Sequence, residues 1–246
     1  MDLRHGDCLC QINGLSTIGD KEIDMILCDL PYNITANEWD KGLDLEALFK
    51  EYDRIVKDKG AIVLFGCQPF TTDLINACRK WFRYSLIWEK NQGSDFFNAN
   101  KKPMRSHEDI LVFCKKGQPK YYPQMMKGKA YSRPASYVFQ PTTGKLMYCN
   151  KQNNKETRYP LTVLKFKKET GHHVTQKPVA LCEWLIKSYT NAGDIVLDNC
   201  MGSGTTAIAC LNTERRFIGW ELNDDYYDIA CKRVEDVENN KSTQVC

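Results

Sequence analysis

Asp194-Ile195-Val196-Leu197-Asp198-Asn199-Cys200-Met201-Gly202-Ser203-Gly204-Thr205-Thr206-Ala207 is the stretch that decides the architecture of this chain. Its first five residues are a short apolar run between carboxylates, the pattern of a buried strand. Two glycines one residue apart then allow a tight strand-to-helix turn and close approach of a ligand to the backbone. No Lys follows the second glycine, so the turn is not a phosphate-binding P-loop. It does meet the loose G-x-G-x-x-A form of a dinucleotide site. The next strand, Arg216-Phe217-Ile218-Gly219-Trp220, runs into Glu221, whose carboxylate can take both hydroxyls of a ribose. A nucleoside cofactor is one reading of this segment, and a structural turn ahead of a helix is the other.

Toward the N-terminus, Glu22-Ile23-Asp24-Met25-Ile26-Leu27-Cys28 is a second buried strand, followed by Asp29-Leu30-Pro31-Tyr32. The tetrapeptide falls at the strand's carboxyl end, the usual ligand crevice of an open α/β sheet. Pro31 pushes Leu30 away from helical geometry, so backbone carbonyls there can point outward. A carboxylate, outward carbonyls and an aromatic face form a socket for an exocyclic amine on a planar ring. The alternative is an ordinary Pro-terminated strand end with a surface tyrosine.

The two segments, in this order, resemble the DNA amino-methyltransferases, the S-adenosylmethionine-dependent enzymes that methylate adenine N6 or cytosine N4. That family carries a catalytic D/N/S-P-P-Y/F/W motif and a cofactor motif D-P-F-x-G-S-G-T-T. Catalytic before cofactor motif, with a variable region between, resembles its permuted β group. The resemblance covers nearly the whole chain. It takes in Gly6-Asp7-Cys8, Phe65-Gly66-Cys67-Gln68-Pro69-Phe70, Trp88-Glu89-Lys90 and His107-Glu108-Asp109-Ile110-Leu111. It continues through Thr175-Gln176-Lys177-Pro178 to Phe217-Ile218-Gly219-Trp220-Glu221-Leu222. Two departures stand out. Leu30 occupies the place of a usual Pro, and Asn199-Cys200 replaces Pro-Phe, which removes an aromatic contact near the cofactor's methionine portion.

By this resemblance, residues 29–32 are catalytic. S-adenosylmethionine would be held by Asp198, Asn199, Cys200, Gly202, Ser203, Gly204 and Thr205 at its methionine portion, with Asp29 nearby. Glu221 and Leu222 would meet the ribose, Asp7 and Cys8 the adenine, and Thr175 and Lys177 the cofactor's carboxylate. His107 and Glu108 read as a structural polar pair. Asp29 and the Leu30 carbonyl would accept hydrogen bonds from the target amine, freeing its lone pair for in-line attack on the sulfonium methyl, largely a positioning effect. The target lies inside a stacked duplex, so it must be extruded. Tyr32 would then stack on it through its ring, with the hydroxyl dispensable. Cys67 and Cys200 read as packing residues, not nucleophiles.

The composition fits that reading. At 246 residues the chain can form one substantial α/β core, and 42% hydrophobic with 26% charged residues is the balance of a globular protein. No apolar stretch approaches a membrane span, and Met1-Asp2-Leu3-Arg4-His5 lacks the core of a signal peptide, so a cytoplasmic location is expected. Twelve cysteines without a Cys-x-x-Cys argue against zinc and disulfides, and no metal is expected. Residues 91–168 hold sixteen Lys or Arg against four Asp or Glu. That +12 segment leaves −9 for the rest of a +3 chain. A basic block on an acidic body is the footprint of a polyanion, here double-stranded DNA, with Lys101, Lys102 and Arg105 as phosphate contacts.

Along the chain, an amphipathic helix is predicted over 44–57, a strand over 61–65, a helix over 69–81 and a strand over 84–88. This alternation implies a parallel sheet with helices on both faces, and the resemblance implies that this sheet has a Rossmann-like methyltransferase fold. Regularity fails over 91–172 apart from a strand at 110–113. The expected division is a catalytic half (1–90), a target-recognition insert (91–172), a cofactor half (173–238) and a flexible tail (239–246). Tyr121, Tyr122, Tyr131 and Tyr137 are expected in a core, with stacking or wedge roles on DNA as the alternative.

Adenine N6 is the expected target, because Asp at position 29 is more typical of adenine enzymes and Ser of cytosine-N4 enzymes. The alternatives are a cytosine-N4 methyltransferase, a nicotinamide-dependent oxidoreductase, and a DNA-binding homologue without catalysis. Dimers are frequent in the β group, so a homodimer is one reading, and the oligomeric state is left open by the sequence. The recognised DNA sequence and any restriction endonuclease partner are not legible in the chain.

Overall fold

A computed structural model of the chain describes residues 1–32, 43–154, 156–169 and 176–243. The expected cofactor residue Thr175 lies outside them. Five strands and two helices come first: β1 (Asp2–His5), β2 (Ile23–Cys28), α1 (Leu45–Ile55), β3 (Val56–Gly66), α2 (Phe70–Ala77), β4 (Phe82–Ser94) and β5 (Arg105–Phe113). Six short strands follow: β6 (Met126–Lys127), β7 (Tyr131–Arg133), β8 (Ser136–Gln140), β9 (Lys145–Cys149), β10 (Gln152–Asn154) and β11 (Thr157–Arg158). The chain ends with β12 (Val163–Lys165), α3 (Val179–Tyr189), β13 (Ile195–Asp198), α4 (Thr205–Asn212), β14 (Arg216–Glu221) and α5 (Asp224–Thr243).

Eight strands form one sheet in the order β1-β14-β13-β2-β3-β5-β4-β12. Every neighbouring pair is parallel except those of β5, which runs antiparallel to both β3 and β4. The sheet is therefore mixed, where the strand–helix alternation predicted a parallel one. A parallel return needs a long crossover, and no α-helix lies between β4 and β5, so β5 folds straight back.

The alternation of side chains along the central strands sets the layers. Ile26, Cys28, Ile62, Leu64 and Leu197 belong to one apolar cluster with Leu48, Tyr52 and Ile55 of α1 and Leu74 of α2. Met25, Leu27, Val63, Phe65 and Val196 belong to a second cluster with Leu181 and Leu185 of α3, Ala207 and Cys210 of α4 and Ala230 of α5. Both faces of β2 are thus covered, and all six of its residues are buried. Asp44 caps α1 by accepting from the backbone N–H groups of Glu46 and Ala47, at 3.0 and 3.1 Å. That helix passes directly into β3.

Two compact units emerge: residues 1–122 with 162–246, and residues 123–161. The second is shorter than the expected 91–172 insert, because β4, β5 and β12 are strands of the main sheet. Taken by itself it is an arm of nested antiparallel pairs, β6 with β11, β7 with β10 and β8 with β9. It carries seven Lys or Arg and one Glu. Tyr131 and Tyr137 are exposed there, and Tyr121 is exposed in the first unit, against the expectation of core positions. Two-stranded ladders have no layer behind them to bury aromatic rings. Tyr122 is half-buried, its hydroxyl accepting from Asn191 Nδ2 at 2.6 Å. At the other end, α5 continues to Thr243, through part of the expected tail.

Candidate active site

β13 and β2 are adjacent and parallel at the centre of the sheet, and the chain leaves them in opposite directions. From β13 it passes through α4 to β14; from β2 it passes through α1 to β3. Such a switch point opens a crevice at the strands' carboxyl ends. Asp29-Leu30-Pro31-Tyr32 leaves β2 there, and Asn199-Cys200-Met201-Gly202-Ser203-Gly204 leaves β13 there. Two segments about 170 residues apart in sequence meet because their strands pair through Val196 with Met25 and Leu197 with Ile26.

Asp29 is held from both sides. The Tyr32 hydroxyl donates to its Oδ1 at 2.6 Å, and Lys177 Nζ donates to its Oδ2. Lys177 is buried and also lies 3.3 Å from Glu108 Oε2. Lys90, likewise buried, donates to Glu108 Oε1 at 2.5 Å. Four charges, two of each sign, therefore form one chain from β4 and β5 through the segment before α3 to Asp29. Burial alone would lower the Lys177 pKa, but Asp29 and Glu108 outweigh it and hold the ammonium. Burial alone would raise the Glu108 pKa, and Lys177 and Lys90 bring it below the usual range. Tyr32 is pushed well above its ordinary value by burial and by Asp29. Its ring lies 5.1 Å from that of Phe70, and the Leu30 side chain is in the core.

Within the chain Lys177 pairs with Asp29 and Glu108, beside the cofactor carboxylate that the resemblance implies for it. The pairing of His107 with Glu108 also separates. Alternation on β5 leaves His107 exposed and turns Glu108 in among the lysines. Sequence reasoning left Glu108 and Lys90 out of the site. The signal available was a cation and an anion on neighbouring strands, two registers apart once β4 and β5 are paired.

Around the glycine turn, Asp198 is buried, and burial pushes its carboxyl up to about 6 against bonds from Thr206, Cys28 and the Cys200 backbone. Gly202 has φ +52° and open space where a Cβ would stand, whereas a Cβ on Gly204 (φ +80°) would come within 3.0 Å of Ala230. The first glycine thus faces the crevice and the second permits packing of α4 on α5. The Ser203 side chain is buried and accepts from Arg233 at 3.0 Å. Thr205 is buried at the start of α4. Glu221 accepts from Gly202 N at 2.8 Å and from Asn223 N at 2.9 Å, one bond per oxygen, so each oxygen keeps a lone pair. Leu222 beside it is exposed. His5 pairs with Glu221 across β1 and β14, which brings the exposed Asp7 and the buried Cys8 to this edge. Asp7 Oδ1 accepts from Leu9 N at 2.9 Å.

Asn199-Cys200, the departure at the cofactor turn, has a structural role. Asn199 Oδ1 accepts from the Tyr52 hydroxyl at 2.5 Å, and its Nδ2 lies 3.6 Å from Cys8 Sγ and 3.5 Å from Cys200 Sγ. The side chain pins the turn to α1 and to the N-terminal loop. The thiols around it are raised, Cys28 to about 12 by burial and Cys200 by its contact with Cys28. Burial likewise raises Cys67, so none of the three is a ready nucleophile.

The family model of N6/N4 DNA methylases matches residues 23–232. The chain belongs to this DNA methylase family. Among curated relatives, the DNA adenine methyltransferase YhdJ of Escherichia coli (strain K12) is 28% identical over 94% of this chain and 81% of its own length. The type II methyltransferase M.HpaI of Haemophilus parainfluenzae is 26% identical over 93% and 73%. Among solved structures, a complex of M1.HpyAVI with S-adenosylmethionine superposes with a TM-score of 0.66 at 27% identity, over 95% of this chain and 98% of that one. The cytosine-N4-specific PvuII DNA methyltransferase shares the fold at a TM-score of 0.66 and 15% identity, over 97% and 92%. Membership removes the oxidoreductase alternative. The donor set fits S-adenosylmethionine, the cofactor of this DNA methylase family: buried Asp198 suits its cationic end, Gly202 leaves room for a ligand, and Glu221 has lone pairs for a diol. Among the described residues no helix is long and apolar enough to cross a membrane.

Proposed function

We propose that this DNA methylase transfers a methyl group to adenine N6 of an extruded base in double-stranded DNA. The observation that carries the reading is Asp29, held by Tyr32 and Lys177 at the switch point beside the glycine turn. S-adenosylmethionine, when bound, supplies a methyl group on a sulfonium. Asp198, the 202–204 turn and Glu221 would hold it, with Asp7 and Cys8 at its adenine and Asn199, Cys200 and Thr205 supporting the turn. Asp29 and the Leu30 carbonyl accept the two N–H bonds of the target amine, which turns its lone pair out of conjugation; once methylated, the nitrogen gives up one proton along the bond to Asp29, which is part-exposed and passes it to solvent. Asp29 can do so while bound, since each carboxylate oxygen has a second lone pair. The Tyr32 ring stacks on the base and its hydroxyl fixes the carboxylate. Lys177 orients Asp29 and is in turn held by Glu108.

Exposed Lys101 and Lys102, with half-buried Arg105, contact phosphates without reading sequence. The basic 123–161 arm is the target-recognition element. Adenine is favoured by Asp at position 29 and by the relative named as an adenine enzyme, YhdJ; the cytosine enzyme's likeness concerns the fold. The proposal extends to a cytoplasmic homodimer. Nucleoside mass spectrometry tests the product: purified protein, methyl-labelled S-adenosylmethionine and duplex DNA should yield N6-methyladenine. N4-methylcytosine as the main product would overturn the base assignment, and no labelled nucleoside would overturn the reading.

A further inference from the structure

The connection between β4 and β5, residues 95–104, presents two bare aromatic rings. Phe96 is 74% and Phe97 96% exposed, in a one-turn 3-10 helix spanning Phe96–Asn98. Polar contacts build the turn. Asp95 (φ +71°) accepts from Asn98 Nδ2 at 2.7 Å and pairs with Lys102 at 2.6 Å. Backbone N–H groups of Lys101 and Lys102 donate to the Asn98 carbonyl at 2.9 and 3.0 Å. Below the turn, Ser94 pairs with Arg105. The loop is thus shaped without either phenyl ring, and both point to water, where an apolar side chain has nothing to gain.

Position and charge indicate the partner. The Gly66 and Asp109 pairing sets the start of β5 at the carboxyl edge of β3, the edge from which Asp29 issues. Arg105 stands three residues, about 10 Å, beyond Glu108 on the same strand, and Glu108 contacts the Lys177 that holds Asp29. Lys101, Lys102 and Arg105 flank the rings, and the one carboxylate in the loop, Asp95, is already bound. An aromatic tip among cations, on the edge where a base must arrive unstacked, matches a duplex, which offers both phosphates for the cations and a stack for the rings.

We propose that Phe96 and Phe97 are the wedge that enters the base step left open by the extruded adenine. Their rings replace the lost stacking, in a stack whose bases lie about 3.4 Å apart, and prevent the base from falling back. This inference rests on the adenine methyltransferase reading. To test it, the recognised site is first found by modification-sensitive sequencing of DNA from a host expressing the protein. Duplexes carrying that site are then prepared, with 2-aminopurine at the target for fluorescence, or with an abasic position opposite the target adenine. The Phe96→Ala/Phe97→Ala variant should lose the 2-aminopurine rise and slow single-turnover methylation of intact duplex about 5- to 100-fold, the scale of one missing stack. The abasic duplex, which is already open, should restore most of the rate, and Phe97→Trp should retain it. An unchanged rate, or the same loss on both duplexes, would overturn the wedge. Wild-type protein that methylates no adenine would instead overturn the reading beneath it.

Discussion

Replacing Lys177 with Met removes the cation between Asp29 and Glu108 while keeping the length of the side chain. At 3.3 Å the Lys177–Glu108 attraction is worth about 5 kcal/mol at an effective dielectric of 20. Desolvation of the ammonium offsets part of that. Breaking a buried pair by removing one partner nevertheless costs about 3–5 kcal/mol, because the other charge stays buried. Asp29 is 29% exposed and recovers some hydration, and Glu108 retains Lys90, so the lower end applies. A loss of about 3 kcal/mol in a chain of this size lowers Tm by about 6–12 °C. Glu108→Gln in the same background removes the stranded charge, so the double variant should be more stable than the sum of the single effects, by about 1–3 kcal/mol. Thermal melts of the four proteins measure the cycle. Single-turnover rate should fall in Lys177→Met while S-adenosylmethionine affinity stays near wild type. An additive cycle would refute the charge network. A rise in cofactor Kd matching the fall in rate would return Lys177 to the cofactor's carboxylate.

Three further outcomes follow from the same geometry. Tyr32→Phe keeps the ring but loses the bond to Asp29, so single-turnover rate should fall about tenfold, the scale of one hydrogen bond to a charged group, and Tyr32→Ala should fall further; equal rates for Phe and wild type would show that the hydroxyl is idle. Asp198, raised to about 6, favours the folded protein most below its ordinary 3.8, a contribution lost as pH rises through about 6, and a cationic ligand reverses this by favouring the ionised form. Calorimetric affinity for S-adenosylmethionine should therefore weaken about tenfold per pH unit below 6, and a flat profile would exclude Asp198 from the cationic end. Neutralising Lys101, Lys102 and Arg105 together should flatten the slope of log affinity against log salt by about one unit for each phosphate left without its cation; an unchanged slope in DNA-binding titrations places the DNA track elsewhere.

The central sheet was legible because β2 and β13 are apolar runs with chemistry-bearing residues at their ends. Strand polarity at β5 was not, since an isolated apolar tetrad at 110–113 carries no sign of direction; the missing helix before it was the clue. The same blind spot inflated the insert, because the end of β4, all of β5 and β12 fall within 91–172 yet pair in the main sheet. Asp29 and the glycine turn could be placed from local pattern. Lys90, Glu108 and Lys177 come from three distant segments and become one charge chain only through strand register. Tyr32 was read for its ring alone, because no local pattern shows where a hydroxyl three residues from a carboxylate will point.

The most direct test of the account is Asp29→Ala, with equilibrium binding of S-adenosylmethionine and single-turnover methylation of duplex DNA measured on the same preparation. In the proposed mechanism the carboxylate acts on the target amine, and Asp198, the 202–204 turn and Glu221 would hold the cofactor. The account therefore predicts a rate lower by about a hundred- to a thousandfold, the scale of losing one preorganised polar group at a reacting centre, with cofactor Kd near wild type. A loss of cofactor binding that matches the loss of rate would contradict it.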